Sequence, residues 1–126
     1  MLLETFAETI RMDYALEHVY VHTIPDSVNA GIYLLYDSNG ATIYPDLPGY
    51  KRCNFLVVSR SENFVEGHNL ADLSRKSLLR LNGYSSEGIL VKTIYQLSDF
   101  VPSPRSPGGF VEWSAEFRVY FIERND

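Results

Sequence analysis

The spacing of hydrophobic residues along the chain predicts two helices. Over residues 2–16 apolar side chains recur every three or four positions, so they share one stripe of a helix. The same spacing returns over residues 63–81. There Asn63 can cap the first turn, and the pair Asn82 and Gly83 can end the helix.

Alternating or continuous apolar residues predict strands elsewhere. The apolar run within residues 52–61 predicts a central strand that leads directly into the second helix. The clearest alternation covers residues 111–122, where Trp113 and Phe117 fall on the apolar side and are predicted core residues. The other predicted strands are residues 18–22, 30–37, 41–44 and 89–97.

Together these elements predict an α+β fold. We expect a mixed, largely antiparallel sheet of four to five strands, with an N-terminal helix and one long helix packed on it. Strand 111–122 is expected to pair with 89–97, and strand 52–61 is a second candidate partner. A length of 126 residues predicts one domain over residues 1–126.

A tight turn is predicted at Asp37, Ser38, Asn39 and Gly40. Asn followed by Gly is a strong turn signal because both residues tolerate positive φ. Residues 30–37 and 41–44 are therefore expected to form a hairpin around this turn.

Composition and charge exclude several classes of function. The net charge of -5 argues against non-specific nucleic-acid binding and against binding to an anionic membrane surface. No apolar run approaches the roughly 18 residues of a membrane span. The single cysteine, Cys53, excludes a disulfide within the chain.

Residues with reactive or metal-binding side chains are few and scattered. His18 and His22 share one face of a predicted strand but have no acidic or cysteine cluster nearby, so we interpret them as solvated residues. Cys53 is interpreted as a small core residue. The basic residues Arg75, Lys76 and Arg80 lie near the C-terminal end of the long helix, where the helix dipole favours positive charge. We prefer this interpretation of the cluster to a phosphate-binding site.

Sequence motifs for catalysis, phosphate binding or zinc binding are absent from the chain. The sequence therefore predicts a protein that is not an enzyme and has no cofactor or bound metal. An alternative is a small α+β domain that binds a small molecule in an aromatic-lined pocket. Its polar members would be His18, Tyr20 and His22.

A proline-rich link joins the last two predicted strands. At residues 98–109 it is long for a hairpin, and long loops on rigid sheets often carry function. A plain surface excursion is the alternative. The residues predicted to contact a partner are Pro102, Ser103, Pro104, Arg105, Ser106 and Pro107.

The order of elements resembles that of the small tail terminator (tail completion) and minor capsid proteins of long-tailed bacteriophages. The most specific similarity is the apolar strand 55–61, which ends in Ser59, Arg60 and Ser61 before a helix with spaced Ala and Leu. Residues 32–37 with Gly40 resemble the family's upstream strand and turn. Residues 102–107 and 117–121 resemble its late proline-containing loop and its final strand.

This resemblance implies an architectural role in a virion, with assembly in the host cytoplasm. Members form a ring, commonly a hexamer, at the head-proximal end of the tail tube. The ring ends tube polymerisation and joins the tail to the head. The implied partners are other copies of the chain, the tail tube protein and head–tail connector proteins. An acidic lumen would let DNA pass without specific binding. A neighbouring head–tail connector role is the alternative within the same class.

Overall fold

The computed structural model describes residues 2–25, 27–37, 40–86, 88–103 and 109–123. Two helices and eight strands form the structure of these residues. In chain order they are α1 (Leu2–Tyr14), β1 (Val19–Val21), β2 (Ala30–Tyr36), β3 (Thr42–Ile43), β4 (Tyr50–Ser61), α2 (Phe64–Leu79), β5 (Ser85–Ser86), β6 (Ile89–Gln96), β7 (Val101–Pro102) and β8 (Val111–Glu123).

The centre of the sheet is the long antiparallel pair of β4 and β8. Their register runs without a break from Tyr50 opposite Ile122 to Ser61 opposite Val111. β8 also pairs with β6, with a bulge between Val91 and Thr93. Both predicted partners of the last strand are therefore confirmed. The order of the sheet is β1-β2-β4-β8-β6-β5.

Each long central strand has two shorter strands placed end to end along its outer edge. β2 lies along the second half of β4, and β3 lies along its first half. In the same way, β6 and β7 share the outer edge of β8. The outer edges of β4 and β8 are therefore built in the same way, each from one longer and one two-residue strand.

The predicted hairpin between residues 30–37 and 41–44 is wrong. β3 pairs with β4, not with β2, and it runs in the same direction as β2. The reason is that β4 is long enough to offer partners to both segments. The true hairpin joins β3 to β4, and its turn contains Gly49 at φ 79°.

The predicted sheet of four to five strands is too small. β3, β5 and β7 have two residues each, which is too short to show alternation in the sequence. They form because the longer strands beside them present unpaired backbone groups. The sheet is mixed because β1 and β2 are parallel, whereas the other pairs are antiparallel.

Both helices cover the same face of the sheet, and the core lies between the two layers. The odd-numbered residues of β4 and β8 point towards the helices, and Trp113 and Phe117 are buried as predicted. The ring of Phe55 stacks on that of Phe117 and packs at a tilt against that of Phe6 at the centre, with centroids 5.7 and 5.5 Å apart. The even-numbered residues form the opposite face of the sheet, which we call the outer face.

The buried side of α2 combines small residues with part of the apolar stripe that its sequence predicts. Gly67, Ala71, Ser74 and Ser77 are buried together with Leu78, whereas Phe64 is half exposed. The Ser59 hydroxyl on β4 donates to the Gly67 carbonyl at 2.6 Å. Small side chains on both elements therefore let the helix approach the sheet closely.

The first turn of α2 follows the predicted signal, but the helix ends at Leu79 with Arg80 as its C-cap, two residues before the predicted end. The Asn63 side chain accepts a hydrogen bond from the Glu66 amide at 2.9 Å, which confirms it as the N-cap. Neither α1 nor α2 combines the length and the apolar character that a membrane-crossing helix requires.

α1 ends two residues before its predicted end, at an alanine in the left-handed region. Ala15 has φ 52°, and the Leu16 amide donates to the Arg11 carbonyl at 3.0 Å. This bond is that of a Schellman motif, in which glycine usually occupies the left-handed position.

Replacing Ala15 by glycine is expected to raise the free energy of unfolding by about 0.5–1 kcal/mol, since glycine adopts this φ without steric cost. Chemical denaturation of the variant measures the gain. Ala41→Gly is the matched control, because Ala41 is exposed and has no positive φ. The control should lose stability slightly, and an equal gain in both variants would contradict the prediction.

Candidate functional site

The predicted contact loop is the tip of a hairpin formed by β7 and β8. Val101 and Pro102 pair with Ser114 and Trp113. Beyond them the Ser103 amide donates to the Glu112 carbonyl at 2.8 Å, so the ladder continues one residue past β7. Residues Pro104, Arg105, Ser106 and Pro107 lie outside the described residues. The base of the hairpin lies at the end of the sheet where β4 leads into α2.

The base of this loop is fixed by a charged cluster on the outer face. The Arg60 guanidinium contacts one oxygen of Glu112 through two nitrogens, at 3.0 and 3.1 Å. The Tyr33 hydroxyl donates to the same oxygen at 2.9 Å. The guanidinium also lies 5.8 Å from the Tyr33 ring centre and 5.3 Å from that of Phe110. Burial and the Glu112 carboxylate raise the pKa of Tyr33 to about 12.

On the helix side, the indole of Trp113 fixes the same loop base to α2. Its N–H donates to the Phe64 carbonyl at 3.2 Å, and its ring packs edge-on against Phe64 and His68 at about 5 Å between centroids. A Cβ on Gly67 would lie 3.0 Å from this ring, so a larger residue there would require the indole to shift by a few tenths of an ångström. The Arg60 cluster and Trp113 hold the loop base from opposite faces of the sheet.

The second predicted contact element is a short excursion between β2 and β3. The Asp37 amide donates to the Asn54 carbonyl at 3.1 Å, and the Gly40 amide donates back to the Asp37 carbonyl at 3.1 Å. Gly40 has φ 69°. Ser38 and Asn39 lie outside the described residues. The predicted turn therefore separates β2 from β3, and the two strands run in the same direction along the edge of β4.

Two arginines lie beside this excursion on the outer face. Arg52 and Arg118 line a cavity of about 220 Å³ together with Asp37, Thr42 and Asn54. Asn54 accepts a hydrogen bond from the Arg118 Nε at 2.9 Å, and Thr42 accepts one from Arg52 at 3.3 Å.

That the loop at residues 102–107 and the excursion at residues 37–40 contact a partner stays a prediction.

The polar residues of the alternative small-molecule pocket fall into two groups among the described residues. His18 Nδ1 lies 2.8 Å from the Tyr20 hydroxyl, whereas the His22 ring packs against Tyr36. A cavity of about 210 Å³ beside His18 is lined by Glu17, Gly31 and Leu70 with their neighbours, and neither Tyr20 nor His22 contributes to it. Within the described residues, no group of three His, Cys, Asp or Glu side chains is placed to hold a metal ion.

Cys53 lies in the core, and the basic residues at the end of α2 form ion pairs or hydrogen bonds with neighbouring side chains. Cys53 is buried in the core, which confirms its interpretation, and burial raises the pKa of its thiol to about 11. Asp72 forms ion pairs with Arg75 at 2.7 Å and with Lys76 at 3.2 Å. Hydrogen bonds from those two residues lower the pKa of Asp72. Arg80 donates to the Tyr14 hydroxyl at 2.7 Å.

The sequence interpretation missed a line of aromatic side chains on the outer face. Tyr44, Tyr50, Tyr120 and Tyr95 form this line, which we call the tyrosine row. Successive ring centroids are 5.2, 6.4 and 6.1 Å apart. Alternation placed Tyr120 on this face, but only the register of four separate segments brings the rings together.

Neither a protein-family model nor a curated protein matches this chain. Its fold is similar to that of a chain in the virion of a native gene transfer agent (GTA) particle, with a TM-score of 0.60. The two chains are 16% identical, and the similarity covers 91% of this chain and 84% of the other. Nearly the whole of this chain therefore shares its fold with a component of a virus-like particle.

Proposed function

We propose that this chain is a structural virion protein that forms a ring at the head-proximal end of a phage-like tail tube. The ring ends tube polymerisation and joins the tail to the head, and the chain makes or breaks no covalent bond. The observation that carries the proposal is the fold similarity to a chain of the gene transfer agent virion over 91% of this sequence.

Two features of the sheet support a role between two partners. The base of the proline-rich loop lies at one end of the central pair β4–β8, next to Ser61 and Val111. The β3–β4 turn extends from the other end, where Leu47 is 52% exposed. A ring of such chains could present one set of loops to the tube and the other set to the head connector.

The rigid loop base supports assigning the proline-rich loop to one of these contacts. Arg60, Glu112 and Trp113 hold the last paired residues of the hairpin through side chains that are mostly buried. A loop fixed at its base loses less conformational freedom when it binds, which favours affinity.

Replacing residues 104–107 by a Gly-Ser linker of equal length is expected to leave the fold intact and to abolish head–tail joining. Particles made with this variant should accumulate as separate heads and tails, with infectious or transferring yield reduced at least about 100-fold, as expected when a central anchor of an interface is lost. Thermal melting checks the fold, and electron microscopy of the particles checks joining.

A matched control replaces the exposed Asn69 on α2 by serine, which changes no predicted contact. Normal yield from the loop variant would reject the loop assignment. Electron microscopy of the wild-type protein with isolated tail tubes tests the position. Binding at tube ends supports the terminator role, whereas binding to heads alone would place the chain among the connectors.

A further inference from the structure

The tyrosine row is an aromatic surface on the side of the sheet that the helices leave uncovered. Its four rings come from the β3–β4 turn, β4, β8 and β6, and the row runs diagonally across the sheet, because Tyr50 lies opposite Ile122 and Tyr95 opposite Arg118. Tyr95 is 50% exposed, and the other three are partly buried. Tyrosine in such positions is enriched at protein interfaces because it combines large apolar area with few rotatable bonds.

Positive charge accompanies the row. Arg52 lies directly opposite Tyr120 in the pairing of β4 with β8, and Arg118 lies opposite Tyr95 in the pairing of β8 with β6. Cross-strand neighbours share one face of a sheet, so both guanidinium groups belong to the same surface as the rings. Asp37 is the carboxylate that lines the cavity between these arginines, so two positive charges meet one negative charge there.

The exposed side of α1 has the complementary character. Residues 2–17 contain four acidic residues and a single arginine, Arg11, which forms an ion pair with Glu8, so this stretch keeps a net negative charge. Glu4, Glu8 and Met12 are spaced four residues apart and are exposed, so they lie along one line of the helix. Met12 is 73% exposed, and with Tyr84 the two acids line a shallow groove of about 340 Å³. Methionine packs favourably against aromatic rings.

The two surfaces also match in length. Glu4 and Met12 are eight residues apart, which corresponds to about 12 Å along a helix. Successive ring separations of 5.2, 6.4 and 6.1 Å give the row a length of at most about 18 Å, and the 13 residues of α1 span about 20 Å. One α1 helix can therefore cover the whole tyrosine row.

We propose that the tyrosine row, with Arg52 and Arg118, binds the exposed side of α1 of a second copy of this chain. The two surfaces lie on opposite layers of one molecule, so they cannot contact each other within one chain. Contact between unlike surfaces is heterologous, and repetition of such a contact closes a ring or extends a filament. This inference rests on the proposed function for the closure of the ring.

The test uses two charge-reversal variants that each damage one surface. The variant R52E/R118E keeps an intact α1, whereas E4K/E8K keeps an intact tyrosine row. Sedimentation velocity measures self-association of each full chain at concentrations up to about 1 mM. We expect wild-type chains to form oligomers, and we expect each variant alone to associate at least about tenfold more weakly.

Mixing the two variants gives the sharper result. One undamaged surface remains on each chain, so an equimolar mixture should form a dimer that does not grow further. Y95S, an exposed change without charge, should weaken wild-type association in the same direction. E62K is the matched control, because Glu62 follows the end of β4 that is remote from the row, and it should associate like wild type. Circular dichroism melting checks that every variant folds.

Three results would overturn the proposal. They are a wild-type chain that stays monomeric up to about 1 mM, oligomers that the variants leave unchanged, and a mixture without a dimer. Unchanged oligomers would assign the ring contact to another surface and leave the proposed function standing. Tight binding of oligothymidylate that R52E/R118E abolishes would instead identify a nucleic-acid surface. The proposed function itself is tested separately, by head–tail joining in particles made with the Gly-Ser variant of residues 104–107.

Discussion

Replacing Phe117 by alanine is expected to lower the free energy of unfolding by about 3–5 kcal/mol. Phe117 is fully buried at the middle of β8, between the rings of Phe55 and Phe100. Removing its ring leaves a cavity that the long β4–β8 pair on one side and the helices on the other cannot fill. Since a domain of this size has about 5–15 kcal/mol of stability in total, the variant should be close to unfolding. Urea denaturation followed by circular dichroism measures the loss.

Glu116→Ala is the matched control for this experiment. Glu116 is the adjacent residue on the same strand, but its side chain points to the outer face. A change there should stay within about 0.5 kcal/mol of wild type. Similar losses in the two variants would mean that the faces of β8 are assigned incorrectly.

Replacing Gly49 by alanine is expected to cost about 2–4 kcal/mol, because strain and a backbone collision add together. Gly49 has φ 79°, and a Cβ there would lie 2.6 Å from the carbonyl oxygen of Glu123. The collision would separate the β3–β4 turn from the end of β8, where the Glu123 amide donates to the Gly49 carbonyl at 2.8 Å. Thermal or urea denaturation measures the change.

Gly83→Ala separates the two causes. Gly83 has φ 80°, nearly the same as Gly49, but a Cβ there meets no heavy atom within 4 Å. The control should therefore cost only the conformational part, about 1–2 kcal/mol. Equal losses in the two variants would show that the contact with Glu123 contributes nothing.

The sequence predicts those elements whose signal is local. Alternation along β8 identified its two faces and placed Trp113 and Phe117 in the core, and Asn63 marked the first turn of α2. The predicted strand pairing was wrong where the position of a strand depends on a partner that is distant in the sequence. Asn39-Gly40 has the composition of a hairpin turn, yet β3 pairs with β4 because β4 has unpaired backbone beyond Phe55.

The candidate site shows the same division. Proline content and length identified the loop at residues 102–107, but the residues that hold its base were not identified. Arg60 and Glu112 are 52 positions apart, and only the register of β4 against β8 places them opposite each other. The tyrosine row depends on four segments at once. Residues that act together across strands leave no signal in the spacing of one segment.

The pairing of β4 with β8 also has a consequence for synthesis on the ribosome. Fifty residues separate Ser61 from Val111, which corresponds to several seconds of translation at about 5–20 residues per second. During that interval β4 has an open edge twelve residues long, which is the kind of edge that recruits strands from other chains. The nascent chain is therefore most prone to aggregation before β8 has been synthesised, and chaperone binding would be most useful in that interval.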